Sequence, residues 1–545
     1  MVTAANSQGS DPGSPRGTAP SNQGATPGAP PSPQADNKRI LVVGGGYVGM
    51  YTALHLQRKL KRELVRGEVE ILVITPDPYM TYQPFLPEAA AGSISPRHVV
   101  VPLRRVLGTC KILIGEARAV DHAKRTASVT TLATADEGTG AIEFVYDELV
   151  IAPGSISRTL PVPGLADYAI GFKTVEEAIG LRNHVIEQMD IASSTRDPSI
   201  RDAALTFVFV GGGYAGVEAL GELEDMARYT SRYYHNIKPE DLKWILVEAS
   251  DRILPEVGEE MGGYAIRELR SRNIDVRLKT RLDSCENRVA VLSDGSRFPS
   301  RTVVWTAGVK PAPVLAATDL PLDGRGRIRC TARLTVAGVD HAWAAGDAAA
   351  VPDVTSGTPG AECAPNAQHA LRQAKVLAEN LAASLHGNPL KEYAHSYAGS
   401  VASLGLHRGV AHVYGHKLKG YPAWLMHRVY HLSRVPTFNR KARVLAEWTL
   451  AGLFKREIVS LGSLEHPRAE FELAAGGRRG LHPGAGGTGP GSGRAPGNGR
   501  GRAPGDGAGR DPGRGPGKGP GKSPGAPDRD GRPTDPGDPT DPRST

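Results

Sequence analysis

Two short glycine runs, each set between an apolar strand-like stretch and a helix-like one, constrain this chain more than any other feature. In the first, Lys38-Arg39-Ile40-Leu41-Val42-Val43 leads directly into Gly44-Gly45-Gly46-Tyr47-Val48-Gly49, and Met50 to Leu56 follows with helical character. An apolar stretch ending in β-branched residues suits a strand buried on both faces of a parallel sheet. Glu68 to Ile74 reads as the second strand of the same unit. Glycines at this spacing have three physical uses. Gly44 permits the tight turn, Gly46 lets backbone approach a pyrophosphate, and Gly49 lets helix and strand close together. The unpaired amides of the helix start then face phosphate oxygens. The acid that usually ends the second strand is replaced by Thr75, which makes Thr75 the candidate ribose contact.

The pattern recurs. Leu205 to Val210 precedes Gly211-Gly212-Gly213-Tyr214-Ala215-Gly216, and Leu242 to Val247 forms the next strand, this time ending in Glu248. Gly211, Gly213 and Gly216 repeat the roles above. Glu248 can accept from both ribose hydroxyls and would repel a 2'-phosphate, which favours NADH over NADPH. Two such units suggest one nucleotide held permanently and one exchanging, the logic of a flavin relay. Thr302 to Val309 and His341 to Asp347 read as two further strands ending in glycine turns. Asp347 is a lone acid placed to accept from a ribityl hydroxyl. No histidine or cysteine adjoins the first glycine run, so the flavin is expected to be non-covalent.

The two ends differ from this middle. Residues 1–37 and 471–545 are dominated by Gly, Pro and polar residues and lack the apolar side chains needed to offset ordering entropy, so both read as disordered tails. Cys110, Cys285, Cys330 and Cys363 stand far apart, with no metal-site or redox-pair spacing; no metal is expected. Without a dithiol beside the flavin, electrons must leave the flavin directly. No stretch reads as a secretory signal or reaches the length of a spanning helix, so a cytosolic location is the default. The net charge of +8 alone admits nucleic acid or an anionic membrane as partner. No basic stripe interleaved with aromatics is present, which argues against nucleic acid.

Taken together, these residues resemble the two-dinucleotide-fold flavoprotein reductases, and among them the type II NADH dehydrogenases, single-subunit enzymes that reduce quinone. The resemblance runs over about residues 38–465. It implies FAD on Gly44, Gly46 and Gly49, with Asp347 as a second contact and the Tyr82-Gln83-Pro84-Phe85 loop, Gln83 included, near the isoalloxazine. It implies NADH on Gly211, Gly213, Gly216 and Glu248. Glu218 matches a glutamate close to nicotinamide and flavin; read without the resemblance, it is as well a surface residue of its helix. Cys363 to Gln373 is similar to the family's quinone motif, which sets two glutamines four residues apart on a helix. Gln368 matches the first; Arg372 stands at the second, and Gln373 falls round from the pair.

Between Lys417 and Arg456 there are nine Lys or Arg residues and one acid, Glu447, threaded with Trp424, Leu425, Val429, Val444, Leu445, Trp448, Leu453 and Phe454. By composition this basic, apolar-faced pair of helices suits a membrane surface, a core element or a dimer interface equally. The resemblance implies a membrane contact, at the cytoplasmic side of the cell membrane. The expected fold is α/β: two Rossmann-like dinucleotide-binding domains and a C-terminal amphipathic membrane-contact region. The FAD domain is expected to be discontinuous, over 38–165 and 310–390. The NADH domain is expected over 166–309 and the membrane-contact region over 391–470. The expected activity is hydride transfer from NADH to FAD and onward electron transfer to a lipid quinone, menaquinone by expectation, without proton pumping. Two other readings stay open: a soluble NAD(P)H oxidase or ferredoxin-type reductase, and a flavin-bound redox sensor or membrane adaptor. A homodimer is also compatible.

Overall fold

The strand Lys38–Val43 lies at the centre of the five parallel strands of a seven-stranded sheet, and its residues Ile40 to Val43 are buried on both faces. In the computed structural model, residues 37–395, 399–454 and 458–459 are described. Both tails read as disordered fall outside these residues, apart from Asn37. On one side of the central strand lie Glu148–Ile151 and then Ala342–Ala344; on the other lie Val69–Thr75 and Lys111–Asp121, all parallel. Thr126–Thr131 and Ile142–Val145 continue the sheet antiparallel. The alternating burial of Thr126–Thr131 contrasts with the continuous burial of the central strands, as one covered face requires.

The return of the chain at Ala342–Ala344 is held by a buried carboxylate. Glu148 accepts from Trp343 Nε1 at 2.8 Å and contacts His341 Nδ1 at 2.7 Å. The helix Tyr47–Lys59 packs along the helix Ala367–Leu385, where Ala370, Ala374 and Ala378 are buried and leave the two backbones close. The second sheet has five parallel strands in the order Ala169–Gly171, Thr302–Trp305, Thr206–Val210, Lys243–Val247 and Ile274–Arg277. Phe207 and Trp244 stack across it with ring centroids 4.4 Å apart.

The stretch after residue 390 departs from a purely membrane-facing element. Gly399–Ser403, Gly409–Val413 and His416–Lys419 form an antiparallel sheet, which packs on the helix Tyr214–Ser231 so closely that a Cβ on Gly221 would lie 2.6 Å from the Leu404 carbonyl carbon. The helices Tyr421–Arg434 and Phe438–Leu453 follow. Part of their expected apolar face turns inward: Trp424, Val444 and Trp448 pack on the core, and Trp448 Nε1 donates to buried Glu88 at 2.7 Å. Arg428, at 3.2 Å from the same carboxylate, stacks over Trp424 and Trp448. Lys417 and Lys419 both reach Glu260. Arg428, Lys417 and Lys419 are thus paired with acids of the protein, and part of the face expected to meet a membrane is engaged within the fold. Leu425, Val429, Leu445, Leu453 and Phe454 do remain exposed.

The glycine turns carry a direct stability test. A Cβ on Gly49 would sit 1.8 Å from the Gly44 carbonyl oxygen, and one on Gly216 would sit 2.0 Å from that of Gly211. Gly49→Ala and Gly216→Ala are each expected to lower unfolding free energy by about 1–3 kcal/mol through forced backbone displacement. Urea unfolding measures this; unchanged midpoints would mean the turns are looser than described.

Candidate functional site

Both glycine runs turn with the first glycine at positive φ, +110° at Gly44 and +117° at Gly211, a region open to glycine and costly for other residues. The third glycine of each behaves differently. No atom lies within 4 Å of a Cβ built on Gly46 or Gly213. Each is the N-cap of its helix, neither helix has a side-chain cap, and neither has an acid in its first turn. Uncapped amides at a positive dipole end, with clear space beside the N-cap residue, are what a phosphate requires. The residues therefore fit a dinucleotide at each run.

At the ribose positions the two units differ. Glu248 accepts from the Gly212 amide at 2.6 Å and the Ser250 amide at 2.7 Å, which fixes its carboxylate beside the second run. Arg252 turns away to Asp251, so it does not offset the charge of Glu248. Thr75 donates its hydroxyl to the Asp77 carbonyl at 3.1 Å and keeps only acceptor capacity toward a ribose.

A cleft of about 1100 Å³ opens from the first glycine run between the two sheets. Gly44, Gly46, Thr75, Gln83, Asp347, Gln368, Arg372 and Glu218 all line it. Gly49 lies behind the turn. Gly211, Gly213, Gly216 and Glu248 are outside the cleft; the second unit reaches it through Tyr214, Ala215 and Glu218 on the first turns of its helix. One bound dinucleotide can thus lie inside while the other approaches from the side.

Sequence reasoning missed a polar chain that lines the cleft. Lys173 Nζ donates to Ser155 Oγ at 2.7 Å, and Ser155 Oγ donates to Asp347 Oδ2 at 2.6 Å. Burial lowers the Lys173 pKa, with Asp347 and Glu177 partly countering it. The three residues come from separate parts of the chain, and no local spacing announces them. The one usable signal was Thr174 with Glu177, a capping box that starts the helix Val175–Ser194 and fixes Lys173 just before it.

Glu218 is buried rather than on a helix surface. Its Oε1 accepts from the Ser403 amide at 2.9 Å and lies 3.0 Å from His427 Nε2. Desolvation pushes its carboxyl up to about 8, and burial pushes His427 down to about 3, with Arg428 adding to the effect. Both are therefore neutral at pH 7, and their contact is one between uncharged groups. The His427 and His431 rings are 4.5 Å apart, and His431 Nδ1 lies 3.2 Å from the Tyr82 hydroxyl.

On the helix Ala367–Leu385, Gln368 Nε2 donates to the Gly399 carbonyl at 2.9 Å, and Arg372 donates to the Gln368 side chain at 3.3 Å. Gln83 makes a long contact with the Lys173 carbonyl at 3.5 Å. Gln373 is buried and accepts from the Gly346 amide at 2.8 Å, which supports the turn before Asp347. The four cysteines are free, and burial holds their thiols up at about 11 or 12, well above neutral pH. Among the described residues no cluster suited to a metal ion occurs.

The profile of the pyridine nucleotide-disulphide oxidoreductase family matches residues 38–374. The chain is 30% identical over 401 residues to the type II NADH:quinone oxidoreductase of Staphylococcus aureus, covering 72% of this chain and 94% of that protein. It is 29% identical over 433 residues to the type II NADH:quinone oxidoreductase of Mycobacterium tuberculosis, covering 77% of this chain and 89% of that one. The structure of NDH2 from Plasmodium falciparum in complex with NADH superposes with a TM-score of 0.70 at 16% identity, over 77% of this chain and 99% of that one, a likeness of fold.

The raised pKa of Glu218 has a definite sign. The folded state holds the proton up to about 8, while the unfolded chain loses it near the ordinary 4.5. The stabilisation is complete below 4.5 and is lost as pH rises toward 8, at about 1.4 kcal/mol per unit. Glu218→Gln removes the titration. The melting temperature of the variant relative to wild type is expected to climb between pH 5 and pH 8.5; a difference that stays flat across that range would contradict a buried neutral carboxyl.

Proposed function

Because the chain belongs to the pyridine nucleotide-disulphide oxidoreductase family and, within it, to the type II NADH:quinone oxidoreductases, we propose that its first glycine run holds FAD non-covalently and its second holds NADH. The enzyme transfers electrons from NADH to a quinone through a flavin. The observation that carries the assignment of the two runs is their asymmetry: one lines the cleft directly, and the other reaches that cleft only through its helix. In this reading the FAD unit comprises 38–165 and 310–390, the NADH unit 166–309, and the membrane-contact region 391–470.

When bound, the flavin supplies the two-electron chemistry that links hydride removal from NADH to reduction of the quinone. The protein's part is orientation and proton handling. Gly46 admits the pyrophosphate to the amides of the Tyr47–Lys59 helix. Asp347 has Oδ1 left to accept from a ribityl hydroxyl, since Oδ2 is occupied by Ser155. Lys173 brings positive charge to the cleft wall, where it favours an electron-rich ring. Gln83 borders the same space, and Thr75 can accept from the adenosine ribose. Glu248 accepts from the NADH ribose hydroxyls.

For the quinone, Arg372 is the better donor of the motif pair. Gln368 spends one amide hydrogen on Gly399, while Arg372 keeps Nε and Nη2 free of the protein contacts that engage Nη1. Glu218, protonated at neutral pH, holds a proton beside the cleft. His427, His431 and Tyr82 continue from it as a run of exchangeable groups.

The exposed Leu425, Val429, Leu445, Leu453 and Phe454, with the neighbouring arginines, support peripheral attachment to an anionic membrane surface, which we assign to the cytoplasmic side. A homodimer belongs to the same reading. Among the described residues no helix is long and apolar enough to cross a membrane, and the reading includes no proton pumping. Menaquinone as the quinone rests on the family resemblance.

Steady-state turnover of flavin-loaded protein with NADH and soluble menaquinone or ubiquinone analogues tests the reading. Glu248→Ala removes charge-assisted hydrogen bonds worth about 1.5–3 kcal/mol, so the apparent KM for NADH is expected to rise at least tenfold. Wild-type protein using NADPH as efficiently as NADH would contradict the role of Glu248; faster turnover with ubiquinone would contradict the quinone assignment.

A further inference from the structure

Away from the cleft, a second pocket of about 200 Å³ is lined by Arg97, Arg105, Arg440 and Arg443, with His98 and Asn439. Four arginines line so small a space, and Arg105, Arg440 and Arg443 are close enough to repel one another unless an anion joins them. Among the described residues none of the four has a carboxylate within ion-pair distance. The nearby acid, Glu447, is already occupied by His98 Nδ1 at 2.7 Å and the Ser95 amide at 2.8 Å. Arg440 Nη1 donates to the Arg97 carbonyl at 2.6 Å and Arg443 Nε to Asn439 at 3.0 Å, which leaves most of their donors unspent. Burial first, and then the charges of Arg105 and Arg443, hold the Arg440 pKa below its usual range. The start of the Phe438–Leu453 helix adds its own positive end, with no acid in its first turn.

The surroundings identify the anion's source. Phe438, at the first position of that helix, is 85% exposed, and Leu445, Leu450, Leu453 and Phe454 continue an exposed apolar face along it. A cationic pocket at one end of an apolar face matches the two halves of a phospholipid. We infer that this pocket binds the phosphodiester headgroup of one anionic phospholipid, whose acyl chains run past Phe438 and Leu445. Guanidinium groups match phosphate oxygens in paired hydrogen bonds, which a diffuse basic patch does not offer. The pocket's volume admits a headgroup and excludes the chains. The location has a functional sense. Arg434, which lines the cleft, and Thr437, which lines the pocket, flank Val435 and Pro436, so a lipid fixed here sets the height of the cleft above the bilayer. This inference rests on the membrane attachment proposed above and adds a discrete site to it.

The test is co-sedimentation of the full flavin-loaded chain with vesicles of phosphatidylcholine alone and with added phosphatidylglycerol. Wild-type protein is expected to prefer the phosphatidylglycerol vesicles. Arg105→Gln/Arg443→Gln, two exposed side chains, is expected to reduce that preference at least tenfold, and Arg440→Gln to reduce it in the same direction. Lys61→Gln/Arg62→Gln, an equal loss of charge on another exposed helix, is expected to retain it. Turnover with NADH and ferricyanide should be unchanged in all variants. Equal loss in the pocket and control variants would overturn the site and leave a general charge effect. Wild-type protein that ignores both kinds of vesicle would overturn the membrane attachment itself. Inorganic phosphate that raises the melting temperature of wild type but not of the pocket variant, with vesicle preference equal in the two, would overturn the lipid as the anion's source.

Discussion

At two places in this chain a buried strand becomes a helix within three residues, and no side chain intervenes between them. A methyl group on Gly49 or Gly216 would meet a carbonyl oxygen at 2 Å or less, so each helix can begin only where it does because those positions carry hydrogen. That close approach places Gly46 and Gly213 at uncapped helix starts with clear space beside them, at the positive end of each helix dipole. The cleft follows from it. The Tyr47–Lys59 helix, held against its strand, provides the surface on which Ala367–Leu385 packs, and the latter brings Gln368 and Arg372 to the same space as Asp347.

Much of this was legible in the sequence because it is local. The glycine runs, the β-branched strands around them and Glu248 at the end of its strand follow from spacing over fewer than fifty residues. Lys173 and Ser155 were not legible, because they meet Asp347 only after the chain has crossed from one sheet to the other and back. Glu218 was legible as a position but not as a state. Its neutrality comes from burial that outweighs the Ser403 amide hydrogen bond, and that burial involves segments some two hundred residues further along the chain. The C-terminal helices show the limit of composition. Arg428 and Trp448 look like the residues of a membrane surface, yet they meet buried Glu88, whereas Leu453 and Phe454 face outward as the pattern suggested.

The interior beside the cleft avoids net charge where it excludes water. Glu218, His427 and His431 are each pushed by burial toward the uncharged form, so three titratable groups sit together without a large desolvation cost at neutral pH. Charge is kept instead where it has a partner or an opening. Arg272 meets Glu224 and Asp225 beneath the helix Tyr214–Ser231, and Lys173 faces the cleft. In the proposed reaction quinone reduction consumes two protons, and Glu218, which lines the cleft, keeps its own to about pH 8.

The division of labour in the cleft is most directly tested by anaerobic stopped-flow absorbance of flavin-loaded Arg372→Ala, mixed first with NADH and then with a menaquinone analogue. The expected result is reduction at the wild-type rate and reoxidation slowed by roughly tenfold, the loss of about 1.4 kcal/mol from one hydrogen bond made as charge builds on the quinone oxygen. Reduction slowed as much as reoxidation would contradict a separate quinone position at this helix, and so would two unchanged rates.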